Sequence, residues 1–170
     1  MTLPTFRYHP DPVGSGSIIQ SENICLCCGA ARGWIYTGPV YAELDLDDAI
    51  CPWCIADGSA NKKFGATFVA DCSLDEICER TPGFSAWQSE SWLECCGEPA
   101  SFITPAGITE LRKLDRSLEG VALNHVIYEM NISGRAAIRM VESLNKDKGP
   151  TAYVFRCLRC AQYLLNVDSH

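Results

Sequence analysis

The chain contains no apolar run of the length a membrane helix requires, which excludes an α-helical membrane protein. Its first residues, Met1-Thr-Leu-Pro-Thr-Phe-Arg-Tyr-His-Pro10, hold no basic segment followed by an apolar stretch. No secretory leader is therefore expected, and the expected compartment is the cytoplasm. Basic residues are scarce: Lys and Arg number 14 against 21 Asp and Glu, for a formal charge of −7. Such a surface is repelled by phosphate backbones, which argues against nucleic acid as a partner. There are three histidines, and no catalytic triad pattern, phosphate-cradling glycine loop or metal-hydrolase motif appears. No internal repeat stands out beyond pairs of cysteines.

Cysteine, by contrast, is abundant, with 11 in 170 residues. In a secreted chain this would suggest a disulfide framework, but in a reducing cytosol it points to metal or redox chemistry. An odd count also forbids complete pairing. The apolar share, 47%, is ordinary for a globular chain and provides a core that does not depend on metal alone. Trp34, Trp53, Trp87 and Trp92 are expected to add large buried surfaces.

The strongest motif is Cys25-Leu-Cys-Cys28-Gly29 together with Cys51-Pro-Trp-Cys54, separated by 22 residues. Each C-x-x-C pair forms a tight knuckle presenting two thiolates, and two knuckles complete a tetrahedron around one ion. Zinc is favoured over an iron–sulfur cluster. Gly29 allows the chain to turn after the first knuckle. Four protein ligands leave no open position, so the site reads as structural. Cys27 cannot join the same four-thiolate set, and the C-x-x-C spacing favours Cys25 and Cys28. A redox dithiol at Cys51–Cys54 is the rival reading, but the surrounding βαβ context of such motifs is lacking.

A second constellation is Cys95-Cys96-Gly97 with Cys157-Leu-Arg-Cys160. Sixty residues separate Cys96 from Cys157. Adjacent cysteines can share an ion at the expense of backbone strain, and Cys95 is the ligand with the weakest claim. Two zinc ions per chain are expected, and eight thiolates with two divalent ions would take the charge to about −11. Cys72 and Cys78 read as core residues. His9 and His125 each stand alone, as does the terminal His170.

The expected fold is α+β, with zinc-ribbon-like knuckles, small antiparallel sheets and a helical insertion, in a single domain over 1–170. Residues 1–70 form the first ribbon half, 71–103 and 150–170 the second zinc site, and 104–148 the insertion. Gly33 to Tyr36 predicts a strand, as do Trp87 to Glu94 and Ala152 to Phe155. Ser73-Leu-Asp-Glu76 predicts a capped helix that Thr81-Pro82-Gly83 stops, with Leu74, Ile77 and Cys78 on its buried face. Thr104-Pro105 predicts a helix opening, followed by Ile108, Leu111 and Leu114 at helical spacing. Further helices are expected over 121–130 and 134–146, closed by Gly149-Pro150.

Several segments resemble the CbrC family of bacterial proteins, linked through one member to colicin tolerance. They are Phe6 to Pro12, Tyr36 to Tyr41, Cys51 to Ala60, Thr81 to Gln88 and Tyr153 to Cys160. The resemblance runs nearly end to end, with Cys51 to Ala60 its most specific part. It implies a cytosolic bacterial protein whose cysteine pairs bind metal, with no established reaction. Where that family often has His-Cys-Gly, this chain has Cys95-Cys96-Gly97. Histidine and cysteine are interchangeable zinc ligands, so the resemblance supports Cys95 as a ligand.

Three functions follow from this reading. The first is a zinc-stabilised interaction or adaptor protein with an unidentified protein partner. The second is an enzyme with a pocket near the knuckles, built from Asp57, Ser59, Trp87 and Gln88 with His9. Against it, Asp57-Gly58-Ser59 also reads as a turn that caps a following helix. The third is a nucleic-acid-binding ribbon, for which Lys62-Lys63 and Arg112-Lys113 are sparse.

Overall fold

The computed structural model describes residues 2–88 and 90–169. Its contacts divide the chain into two compact units, Met1–Ser85 with Ser89–Trp92, and Ala86–Gln88 with Leu93–His170. The fold class is α+β, with short helices and small antiparallel sheets around two groups of four cysteines.

In the first unit, β1 (Ile18–Gln20) pairs antiparallel with β2 (Trp34–Tyr36), and Tyr36 also bridges Ile50. The strand expected at 33–36 is thus β2, and its partner β1 is too short to show alternation in the sequence. α1 (Pro52–Ala56) starts directly after Cys51, with Pro52 in the first turn, where its missing N–H costs nothing. α2 (Ser59–Phe64) follows Gly58, which takes φ 74°. Ile18, Ile35, Tyr36, Ile50, Ile55 and Phe68 form the centre of this core. The Tyr36 hydroxyl donates to the Pro39 carbonyl and accepts the Gly83 N–H.

α3 (Asp75–Arg80) is shorter than its sequence signature promised. Its N-cap is Leu74 in extended conformation with no side-chain cap, so the Ser73–Glu76 capping box does not form. Leu74 is exposed, and only Ile77 of the expected stripe is buried. Cys72 and Cys78 are not simple core residues. They are disulfide-paired with each other across the first turn of α3, their Cα atoms 6.0 Å apart, within bridging range.

The second unit is built on β5 (Ser101–Ala106), β6 (Thr151–Arg156) and β7 (Tyr163–Asp168), antiparallel in the order β5-β6-β7. β3 (Glu94–Cys95) and β4 (Glu98–Pro99) form a separate hairpin, so among the described residues of the expected 87–94 strand only Glu94 lies in one. Thr104 and Pro105 do not open a helix. They lie in β5, an edge strand, where a proline is tolerated. The helix begins after Gly107, whose N–H donates to the Glu110 carboxylate.

Three helices separate β5 from β6: α4 (Ile108–Leu114), α5 (Ser117–Tyr128) and α6 (Gly134–Glu142). The insertion expected between the halves of the second site is therefore real, with α5 packed on β7 and α6. Leu111, Leu118, Ala122, Val126, Ala137 and Val141 turn inward onto Val154, Leu165 and Val167. None of the four tryptophans is fully buried, and the Trp87 indole N–H donates to Thr151.

His9 is the most deeply enclosed ionisable side chain of the first unit's N-terminal segment, with no exposure. Its Nδ1 donates to the Pro82 carbonyl at 2.7 Å, and its Nε2 lies 2.7 Å from the Ser15 hydroxyl. Burial lowers its pKa from 6.5 to about 4, against the smaller opposing pull of the Pro82 bond and Asp11. The unfolded chain therefore binds the extra proton first. Stability contributed by neutral His9 is complete above pH 6.5 and falls as pH drops toward 4, by about 3 kcal/mol in all. Denaturant titrations of the wild type and His9→Asn at pH 7, 5.5 and 4.5 are expected to show a steeper acid loss for the wild type.

Candidate metal centres

Each unit carries one cluster of four cysteine sulfurs lying within 4.8 Å of one another: Cys25, Cys28, Cys51 and Cys54, and Cys95, Cys96, Cys157 and Cys160. In the first, Cys25–Cys54, Cys28–Cys51 and Cys51–Cys54 Sγ separations are 3.8, 3.9 and 3.6 Å. In the second, Cys95 lies 3.8 Å from both Cys96 and Cys160. A tetrahedron with Zn–S bonds of about 2.3 Å has edges of about 3.8 Å. Disulfides would need about 2.05 Å. The two groups therefore have the spacing of ligands around an ion, and both can hold one.

Local sequence explains how each sulfur arrives. The first knuckle sits in the connection between β1 and β2. There the Gly29 N–H donates to the Cys25 carbonyl at 2.7 Å, and Gly29 takes φ 72°. Cys51 caps α1, which brings Cys54 back one turn later, and the Cys51 N–H points at the Cys25 sulfur, 3.3 Å away. Lys63 closes the knuckle from outside, donating to the carbonyls of Leu26 and Cys27 at 2.9 Å each. Cys27 Sγ lies 3.5 Å from the Ser59 hydroxyl and is not one of the group of four.

The second centre joins two hairpins. Cys96 and Gly97 take φ 55° and 77°, the two left-handed residues of the tight turn between β3 and β4. This is the strain expected of adjacent cysteines: the left-handed turn swings the sulfurs of Cys95 and Cys96 to the same side. Cys157 to Cys160 form the connection between β6 and β7. The Arg159 and Cys160 N–H groups both aim at the Cys157 sulfur at 3.4 Å. The Ala161 N–H donates to the Cys157 carbonyl at 3.1 Å, repeating the bond that Gly29 makes in the first knuckle. Ala161, at φ 59°, adopts this backbone without glycine's freedom.

The electrostatics of both clusters call for a cation. The Cys51 thiol, together with backbone N–H groups, stabilises ionised Cys25 and lowers its pKa to about 4. Its neighbours move the other way: Cys51 is raised by the Cys25 thiolate, and Cys54 is raised by burial to about 12. In the second cluster the Cys160 and Arg159 N–H groups lower Cys157 to about 6, while contact with Cys157 lifts Cys95 to about 12. Thiolates this close repel one another, and a divalent ion bound among them would let all four ionise. The burial differs. Cys25, Cys51 and Cys54 are buried, whereas Cys96 and Cys160 of the second centre are exposed.

The other candidate residues are engaged elsewhere. The Asp57 carboxylate accepts the Ser59 N–H at 2.8 Å directly before α2, so the turn-and-cap reading describes it. The Ser59 hydroxyl donates to the Cys54 carbonyl. Trp87 and Gln88 belong to the second unit, where the Gln88 N–H donates to the Asp168 carboxylate at 2.8 Å. Lys62 and Lys63 are exposed, and Arg112 is ion-paired with Glu119. His125 is half-buried, and burial lowers its pKa. His170 lies outside the described residues.

A family model described as an uncharacterised protein family, UPF0167, matches residues 3–169. The chain belongs to UPF0167. UPF0167 protein Mb2317 of Mycobacterium bovis is 43% identical over 176 residues, spanning 98% of this chain and 93% of the relative. The UPF0167 protein MT2352 of Mycobacterium tuberculosis gives the same figures. UPF0167 protein PA1536 of Pseudomonas aeruginosa is 41% identical over 180 residues, spanning 98% and 97%. No solved structure matches. The UPF0167 relatives are bacterial, and their names carry no reaction or ligand.

Two outcomes are expected from the knuckle geometry. Ala161→Gly should stabilise the chain by about 0.5–1 kcal/mol and Gly29→Ala should destabilise it by about 1 kcal/mol, read from denaturation midpoints at fixed metal. Cys27→Ser should keep the metal content of the wild type, whereas Cys28→Ser should lose about one ion per chain, measured by elemental analysis.

Proposed function

We propose that this UPF0167 chain is a zinc-binding, non-enzymatic interaction protein of the bacterial cytoplasm. Cys25, Cys28, Cys51 and Cys54 hold one ion, and Cys95, Cys96, Cys157 and Cys160 hold a second. The observation that carries the reading is the set of Sγ separations between 3.6 and 3.9 Å in both clusters. These match the edges of a thiolate tetrahedron around zinc and lie far from disulfide distance. When bound, a fully thiolate-ligated ion cross-links the chain and offers no open position to a substrate. The chain's own residues arrange for this. Backbone N–H groups direct the Cys25 and Cys157 sulfurs, left-handed turns gather the rest, and Lys63 ties down the first knuckle. The resemblance to a family associated with colicin tolerance accords with binding or sequestration of a partner.

Metal content decides the matter. Protein purified under reducing, chelator-free conditions is expected to contain two zinc ions, and Cys51→Ser or Cys54→Ser about one. The same variants should bind a hydrophobic dye and melt earlier, because structural zinc is coupled to folding. Full metal content with unchanged melting in both variants overturns the reading.

A further inference from the structure

The formal charge is not shared between the two units. The first contains five Lys and Arg against twelve Asp and Glu, and so carries the whole −7, while the second contains nine of each and is neutral. The centre in the first unit, once loaded with four thiolates and one divalent ion, would take that unit to about −9.

On this acidic unit the rim of the first knuckle carries unpartnered apolar side chains. Ile24 and Leu26 flank the buried Cys25 and are 63% and 53% exposed. The Leu26 N–H donates to the Ala49 carbonyl at 2.9 Å, and the Asn23 side chain donates to the Asp48 carbonyl at 3.2 Å. These bonds tie the knuckle to the C-terminal end of the loop Glu43-Leu-Asp-Leu-Asp-Asp48. In that loop Leu46 turns into the core, while Leu44 is 61% exposed among Glu43, Asp45, Asp47 and Asp48, all of them exposed. Knuckle and loop thus expose apolar side chains in a neighbourhood of four carboxylates, with Lys63, bonded to the Leu26 and Cys27 carbonyls, a basic group on the knuckle.

Charge selects among the occupants such a surface could take. Phosphate backbones and anionic lipid surfaces are repelled. A second copy would bring together two faces that each carry the excess negative charge. A Lys/Arg-rich protein segment with an aliphatic anchor satisfies both parts: its cations meet the carboxylates, and its anchor covers Ile24, Leu26 and Leu44.

We infer that the first knuckle and the 43–48 loop form a docking surface for a basic protein segment bearing an apolar anchor. The inference rests on the interaction-protein reading above and names the chemistry of the partner.

The test uses the full metal-loaded chain and two synthetic peptides of equal charge, one an amphipathic Lys/Leu helix and the other Lys with Ser. Affinity is measured by fluorescence anisotropy across a salt series, with metal content determined for every variant. Ile24→Ser with Leu26→Ser and Leu44→Ser is expected to weaken the Lys/Leu peptide about tenfold and leave the Lys/Ser peptide unchanged. Asp45→Asn with Asp47→Asn and Asp48→Asn should weaken both peptides and flatten the salt dependence. Asp75→Asn with Glu76→Gln and Glu79→Gln removes the same charge elsewhere in the unit and should change either affinity less than about twofold. Equal losses from the two acidic triples, no effect of the apolar triple, or self-association of the free protein through this face each overturn the inference. Absence of peptide binding with two ions present defeats this proposal alone. Absence of the ions defeats the metal reading on which it stands.

Discussion

Sulfurs held about 3.8 Å apart repel one another once a second one ionises, and the two knuckle turns of this structure answer to that constraint. The pKa of Cys25 is lowered chiefly by the Cys51 thiol and then by backbone N–H groups, and that of Cys157 by the Cys160 and Arg159 N–H groups. The two knuckles share one backbone design. Their hydrogen bonds, from Gly29 to Cys25 and from Ala161 to Cys157, fix the turn independently of what the sulfurs hold.

The same local solution is embedded in two different settings. Three of the first centre's four cysteines are buried in the core, where Ile50, bridged to Tyr36, leads into Cys51 and α1 returns Cys54 one turn later. The second is carried on hairpin tips near the surface, with Cys96 and Cys160 exposed and the salt bridge between Arg159 and Glu98 alongside. An exposed ion pair of this sort adds little stability. The β3–β4 hairpin, with two residues per strand, is too small to hold itself together. The core of the second unit lies instead between its sheet and α4 to α6, so this unit does not need its metal cluster in order to bury apolar surface.

The two cysteine clusters were legible because the pairing of cysteines leaves a spacing signature that survives in one dimension. Cys25, Cys28, Cys51 and Cys54 are gathered as their two pairs suggested, and Cys95, Cys96, Cys157 and Cys160 are gathered despite the irregular first pair. The helical insertion was legible from apolar periodicity, though α6 stops at Glu142 and α5 begins at Ser117. What the sequence hid was set by tertiary context. Thr104-Pro105 carries a helix-start signal, yet it pairs with β6 at a sheet edge, where a missing N–H is harmless. Ser73 lost its capping role when Leu74 became the N-cap, and Cys72 and Cys78 paired across the turn, a juxtaposition that no spacing rule announces. β7 follows the last knuckle with mixed polarity, Tyr163-Leu-Leu-Asn-Val-Asp168, and is recognisable only once β6 is there to pair with it.

The long separation between Cys96 and Cys157 has a consequence for the denatured chain. An ion bridging these positions would close a ring of about sixty residues, against about twenty between Cys28 and Cys51. On the chain-entropy model, closing the larger ring restrains the unfolded ensemble by about 4 kcal/mol and the smaller by about 3 kcal/mol. The more accessible of the two clusters would therefore be the more effective tether. An ion resting on hairpin tips, in easy reach of solvent, would restrict a stretch of unfolded polypeptide that includes all three inserted helices.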